Sequence, residues 1–210
     1  MVYKGLFITF EGIEGSGKTT LIPFARDYLV DQGVNLIMTR EPGGTEIAEL
    51  IREIILRHSQ EKMNEDTELL LYFASRAQHL AQKIKPALEA GQTVLCDRFT
   101  DSSFAYQGGG RGLDESRIAV LENFVHRGFQ PDITILFDVD PKIGLKRIQN
   151  RKDLDRFDVE KQEFFERVRA VYLKRAKQYS DRYRIIDANK DLESVKRDLK
   201  NLLDQIGIRS

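Results

Sequence analysis

The sequence predicts an α/β fold: a five-stranded, mainly parallel sheet, doubly wound and flanked by helices. Three observations predict it. Short apolar runs rich in β-formers alternate with segments of helical period, the pattern of parallel strands joined by crossover helices. A glycine-rich stretch, Gly12-Ile13-Glu14-Gly15-Ser16-Gly17-Lys18-Thr19, stands between the first strand and the first helix. A charged pair, Asp97-Arg98, directly follows the third strand, at the edge where open α/β sheets bind ligands.

The elements follow in order. Residues 5–11 (GLFITFE) form a short apolar run, read as a buried strand. From 18 to about 31, Leu21, Phe24, Ala25, Tyr28 and Leu29 share one helical face. A second strand covers 34–39 and ends in the turn signal Pro42-Gly43-Gly44. Thr45 is the N-cap of a helix whose apolar positions are Ile47, Leu50, Ile51, Ile54 and Ile55. After a polar connection at 58–64, a long helix runs from about 66 to 90 with Leu69, Leu70, Phe73, Ala77, Leu80 and Ile84 as its stripe, and Pro86 bends or breaks it. The third strand is 93–96. Residues 99–112 carry a short helix and then a flexible turn at Gly108-Gly109-Gly110. A helix over 114–127 precedes the fourth strand at 133–138. Asp140 as N-cap and Pro141 at the first position open the next helix, to about 149. A helix over 159–180, a fifth strand at 183–187 and a helix over 192–206 complete the chain. There is no internal repeat or low-complexity linker, so residues 1–210 read as a single domain.

The glycine-rich stretch fits G-x-x-x-x-G-K-[ST], the phosphate-binding loop of P-loop NTPases, and strand and helix flank it as that motif requires. Glycines let successive backbone N–H groups turn inward onto phosphate oxygens, and the helix beginning at Lys18 adds its positive end. Lys18 can reach the β- and γ-phosphates, and the Thr19 hydroxyl can ligate Mg²⁺. ATP is therefore the expected ligand of Gly12, Ile13, Glu14, Gly15, Ser16, Gly17, Lys18, Thr19 and Thr20, with Mg²⁺ as cofactor.

Composition narrows the class. Lysine plus arginine equals aspartate plus glutamate at 33 each, so no global charge points to nucleic acid or membrane as a partner. Cys96 is the only cysteine, which excludes an intramolecular disulfide or a cysteine metal cluster and fits a buried strand residue. The amino terminus enters the first strand without a signal pattern and no apolar run is long enough to span a bilayer, so a cytoplasmic location is expected.

Reaction class follows by elimination among P-loop proteins. A GTPase needs D-x-x-G and N-K-x-D; the one D-x-x-G, Asp204 to Gly207, falls at the end of the last helix, after every strand, and Asn189-Lys190 is followed two residues later by Leu192. Small-molecule kinases remain. Between 146 and 156, Lys146, Arg147, Arg151, Lys152 and Arg156 face only Asp153 and Asp155, the composition of a cationic lid over polyphosphate or of a solvated helix end.

The string Asp97-Arg98-Phe99-Thr100-Asp101-Ser102-Ser103-Phe104-Ala105-Tyr106-Gln107 resembles the D-R-[YFH]-x-x-S-x-x-A-Y-Q signature of the thymidylate kinase family, a branch of the P-loop nucleoside monophosphate kinases. Arg40-Glu41-Pro42-Gly43-Gly44-Thr45 and Phe73-Ala74-Ser75-Arg76 carry the same resemblance, which covers nearly the whole chain. It implies transfer of the ATP γ-phosphoryl group to dTMP. By that resemblance Arg98 holds the dTMP phosphate, with Asp97 near Mg²⁺ and its waters. Arg76 bonds the thymine while Phe73 stacks on it, and Ser103 and Gln107 read the base edge. Tyr106 crowds the ribose 2′ position, Glu14 meets the 3′-OH, and Arg52 is either a further monophosphate ligand or a surface arginine.

The phosphate loop has no arginine, which resembles the bacterial type whose catalytic arginine lies in the lid. The resemblance thus makes Lys18, Arg98, Arg151 and Arg156 the catalytic set and 146–158 the lid. Phe99 departs from the Tyr or His common at its position. The loop Ala188-Asn189-Lys190 is expected to flank adenine. The family's members are usually homodimers, and the long 66–90 helix offers an apolar face that serves either the interface or the core. Two alternatives stay open: a kinase for another monophosphate such as dUMP, and a P-loop module that binds nucleotide without phosphoryl transfer.

Overall fold

The computed structural model describes residues 3–57, 59–149, 157 and 160–208. Five parallel strands form one sheet: β1 (Phe7–Glu11), β2 (Leu36–Arg40), β3 (Thr93–Asp97), β4 (Ile133–Asp138) and β5 (Tyr183–Asp187), in the order β2-β3-β1-β4-β5. The central strand β1 is buried at every position because helices cover both faces of the sheet. Its side chains alternate accordingly. Ile8 and Phe10 enter the larger core with Leu21, Ala25, Val168 and Leu199, whereas Phe7 packs with Leu80, Ile84, Val94 and Phe99 on the other face.

The helices are α1 (Lys18–Asp31), α2 (Glu46–Leu56), α3 (Glu65–His79), α4 (Lys85–Glu89), α5 (Thr100–Ser103), α6 (Glu115–His126), α7 (Pro141–Ile148), α8 (Gln162–Gln178) and α9 (Leu192–Ile206). The Thr45 hydroxyl accepts from the Ala48 N–H, and the Asp140 carboxylate accepts from the Lys142 N–H ahead of Pro141, so both expected caps are in place.

Two expectations are corrected. Pro86 does not break the long helix: a π-helical turn, Leu80–Ile84, joins α3 to α4. A proline lacks the N–H for the ordinary bond and crowds the preceding turn, and the wider π turn relieves both. The triple glycine is no flexible turn but the end of a second π-helical segment, Phe104–Gly110. Gly109 and Gly110 lie where a Cβ would strike the Arg167 carbonyl at 2.8 Å and the Phe164 ring. Arg167 donates to both of their carbonyl oxygens, at 3.1 and 2.8 Å. Close approach to α8, not mobility, is what needs glycine.

The apolar positions of α2 are only partly covered. Ile55 is buried, but Ile47, Leu50 and Ile54 are about half exposed, as is Leu70 of α3. Val120 and Phe124 of α6 are 66% and 75% exposed. Because α2 packs on α3 and α3 on α6, these residues lie on neighbouring helices. Of the remaining stripe, Leu69, Phe73, Leu80 and Ile84 are spent on the internal core, while Ala77 is exposed. No helix among the described residues is long and apolar enough to cross a membrane.

Candidate active site

The carboxyl ends of β1 and β3 lie side by side, with Phe10 paired to Asp97. The chain leaves β1 into the glycine loop and leaves β3 into Asp97-Arg98, so both open into one cavity. Its wall includes Glu14 to Thr19, Arg52, Arg76, Asp97, Arg98, Tyr106 and Gln107.

The loop is shaped by contact with α7. Gly15 has φ of 73°, and a Cβ there would collide with the backbone of Gly144. The Lys18 ammonium folds back on the loop, donating to the carbonyls of Gly12 at 2.7 Å and Ile13 at 3.2 Å and to Ser16 Oγ at 3.2 Å. Burial, then the charge of Arg98, brings Lys18 down to about 8. Both effects favour a negatively charged occupant, which would offset the cost of burying two cations together. Thr19 reaches the cavity wall; Thr20 does not, and the Ile13 side chain is buried in the core.

Among the described residues, Arg98 is one of two non-glycine residues with positive φ, at 66°. Such a conformation costs about 1–3 kcal/mol and persists where surrounding contacts over-determine it. Here its N–H bonds the Phe10 carbonyl at 2.9 Å, and its carbonyl accepts from Cys96 Sγ. The guanidinium donates to Glu14 at 2.8 Å and lies 4.7 Å from the centre of the Tyr106 ring. Burial opposes its charge, but Tyr106, Glu14, Tyr172 and Asp97 outweigh that and raise it further. The Tyr106 hydroxyl donates to the second Glu14 oxygen at 2.6 Å, so Glu14 joins the loop to both residues. Asp97 has one buried oxygen, Oδ1, without a hydrogen-bond partner among the described residues.

Arg76 is 1% exposed and held on three sides: by Glu41 at 2.6 Å, Ser103 Oγ at 3.0 Å and the Phe99 carbonyl at 3.0 Å. Burial opposes the Glu41 charge, yet Arg76 and His79 hold its carboxyl below the usual range. Of five guanidinium N–H groups these bonds use three, which leaves Arg76 donors for a further acceptor. Gln107 donates to Glu68 at 2.7 Å, an arrangement that leaves its Oε1 without a hydrogen-bond partner among the described residues. Arg52 is on the wall, its guanidinium donating to the Pro42 carbonyl at 2.9 Å.

Two expected base contacts are placed differently. Phe73 is 2% exposed and packs with Leu69, Phe104 and Ile118 beneath Arg76, whose guanidinium lies 4.7 Å from its ring centre. Tyr72 takes the position on the wall. The sequence signal was available: Tyr72 is four residues before Arg76, one helical turn along the same face. Ser103 stands behind Arg76, and its neighbour Ser102 lines the cavity. Glu41 and Phe157 also line it without having been singled out. Arg151, Arg156 and most of the 146–158 lid lie outside the described residues. Arg147 donates to the carbonyls of Gly15, Ala188 and Lys190, tying the phosphate loop to the loop after β5.

Comparison with known proteins agrees with this geometry. The family model described as thymidylate kinase matches residues 10–199. The chain is 54% identical over 203 residues to a thymidylate kinase of Pseudomonas putida strain GB-1, covering 97% of both chains. It is 55% identical over 202 residues to one of Pseudomonas savastanoi pv. phaseolicola, covering 96% of both, and 55% over 203 residues to one of Pseudomonas entomophila, covering 97% of both. Since the match runs from the phosphate loop into the last helix, and relatives of the same extent share more than half of their residues with it, the chain belongs to the thymidylate kinase family.

Proposed function

We propose that the chain transfers the γ-phosphoryl group of ATP to dTMP, giving dTDP and ADP. The observation that carries this reading is a single cavity in which a phosphate loop, Arg98 and a base-sized wall of Tyr72, Arg76 and Gln107 converge. Two polyanions must be brought together, so positioning and charge neutralisation supply the catalysis. The acceptor oxygen is already anionic and needs no general base. Lys18 and the loop N–H groups hold the ATP phosphates, and Arg98 holds the dTMP phosphate. Arg52 adds a cation on the same side. Tyr72 stacks on thymine, Arg76 and Gln107 meet its polar edge, Tyr106 crowds the 2′ position and Glu14 takes the 3′-OH. Arg151 and Arg156 close over the transferred group from a lid at 146–158 of a single domain.

The donor set fits Mg²⁺. A hard cation that keeps several waters asks for one or two oxygen ligands from the protein, and Thr19 with the unpartnered Asp97 oxygen offers that set. When bound with ATP, Mg²⁺ supplies charge neutralisation on the phosphates. A cytoplasmic location is part of the same reading.

The test is ADP release from Mg-ATP with dTMP, dUMP, dCMP, dGMP and AMP offered in parallel. We expect a strong response to dTMP with dUMP a weaker second. Preference for another monophosphate would overturn the substrate, and ATP binding without transfer to any acceptor would favour a regulatory module.

The exposed residues Ile47, Leu50, Ile54, Val120 and Phe124 support a homodimer formed through α2 and α6. Phe124→Glu is expected to halve the mass seen by sedimentation equilibrium. A wild-type chain that sediments as a monomer would rule the dimer out.

A further inference from the structure

Behind Arg98 lies a buried carboxylate that phosphoryl transfer does not require. Glu11 closes β1 and is fully buried. Its oxygens accept three hydrogen bonds: from the Phe99 N–H at 2.8 Å, from Ser102 Oγ at 2.6 Å and from the Tyr172 hydroxyl at 2.8 Å. The same two hydroxyls are partners of Arg98, whose Nη1 donates to Ser102 at 3.3 Å and to Tyr172 at 3.4 Å. Glu11 therefore reaches Arg98 indirectly from two directions. It pins the peptide that follows the left-handed residue, and it stands one hydroxyl away from the guanidinium on either side.

Proton bookkeeping makes the arrangement directional. An ionised carboxylate only accepts, so the two hydroxyls, which also lie 2.8 Å from each other, find their common acceptor in Glu11 and keep lone pairs for the guanidinium, which only donates. Protonating Glu11 makes it a donor to one hydroxyl, whose own proton then turns to the other hydroxyl 2.8 Å away, and the order of donors behind Arg98 is rearranged. We propose that Glu11 is a positioning residue for Arg98, acting through Ser102, Tyr172 and the Phe99 peptide to aim the guanidinium at the acceptor phosphate. The inference rests on Arg98 being the ligand of that phosphate.

The charge balance agrees. Burial, then the repulsion of Asp101 on α5, raises Glu11 to about 7 against the opposing pull of Ser102, Arg98 and Tyr172. Lys18 of α1, Cys96 of β3 and Tyr183 of β5 also feel its charge. A carboxyl raised in the folded state contributes stability that is full below its unfolded value and is lost as pH rises through about 7. The ionised form is thus held against the interest of the fold, as expected of a group kept for the site.

The test is steady-state kinetics of the full chain between pH 5.5 and 9, for wild type, Glu11→Gln and Tyr172→Phe, with thermal melting at pH 8. Glu11→Gln is expected to raise the KM for dTMP about tenfold while the KM for ATP stays within about twofold. The acid limb of kcat/KM for dTMP is expected to move from about 7 toward the phosphate's own ionisation near ~6. Melting at pH 8 should be unchanged or higher. Tyr172→Phe, which leaves the Ser102 relay, should raise the dTMP KM by roughly threefold. An unchanged acid limb in Glu11→Gln, or equal damage to both KM values with a lowered melting temperature, would overturn the proposal in favour of a structural role. Should Glu11→Gln fail to fold, an unchanged dTMP KM in Tyr172→Phe overturns it alone. Wild-type protein that phosphorylates a different monophosphate refutes the substrate reading instead, and the same comparison is then made with that acceptor.

Discussion

Arg98→Ala is expected to lower kcat/KM for dTMP by about 10³-fold, equivalent to roughly 4 kcal/mol of transition-state stabilisation. Arg98 is held in place from every side: left-handed backbone, a bond to Glu14, a ring beneath the guanidinium, and two hydroxyls behind it. A cation so pre-organised gains little from alternative poses, and its removal leaves the acceptor phosphate opposed to ATP without neutralisation. Arg98→Lys keeps the charge but loses the planar fork, so an intermediate loss of about 10²-fold is expected. The loss should fall on kcat and on the KM for dTMP, with ATP binding and melting temperature nearly preserved. A decrease of less than about tenfold, or one confined to the KM for ATP, would remove Arg98 from the acceptor site.

The largest effect on stability is expected at Asp101. This carboxylate is fully buried and holds Arg175 at 2.5 Å and Arg182 at 2.8 and 2.9 Å. Burial alone would raise it, but the two guanidinium groups prevail and bring it down to about 2. Arg175 in turn lies 3.8 Å over the Phe104 ring, so the cluster ties α5 and the π-helical segment to α8 and the approach to β5. Asp101→Asn keeps the volume and removes the charge, leaving the buried Arg175 and the partly buried Arg182 uncompensated. That costs about 3–5 kcal/mol, a fall in melting temperature of roughly 10 °C for a chain of this size. The sign with pH is set by a lowered carboxyl. Its contribution is present above the unfolded value of 3.8 and is lost as pH falls through about 2. The gap between wild type and variant should therefore be full near pH 5, narrow below about pH 4, and be somewhat smaller at pH 8, where loss of the Asp101 charge relieves the ionised Glu11. Denaturant unfolding at several pH values measures it, and a gap under about 1 kcal/mol at pH 7 would mean the cluster is not a support of the fold.

Legibility differed between the two kinds of residue. The phosphate loop, the caps at Thr45 and Asp140 and all five strands were readable because each depends on neighbours in sequence: a loop needs its glycines, a cap its next three N–H groups, a strand its own apolar run. Even there the register of β2 was displaced, since it begins at Leu36 and ends at Arg40. The wall of the cavity was less readable. Phe73 and Tyr72 are adjacent and both aromatic; the one-turn spacing from Tyr72 to Arg76 is the only local signal that separates them, and the packing of α3 on α6 is what spends Phe73 on the core. Ser102 and Ser103 pose the same problem.

Taken alone, the sequence determined the parallel sheet, the phosphate loop, the Asp97-Arg98 strand end and the reaction class, because periodicity and motif spacing are local properties of the chain. Tertiary structure alone decided that the triple glycine is a packing surface for α8, that the apolar face of α2 stays exposed, and that Glu11 and Tyr172, 161 residues apart, share the support of Arg98. Those outcomes depend on which surfaces meet across the sheet, and no local pattern records a meeting between residues so distant in the chain.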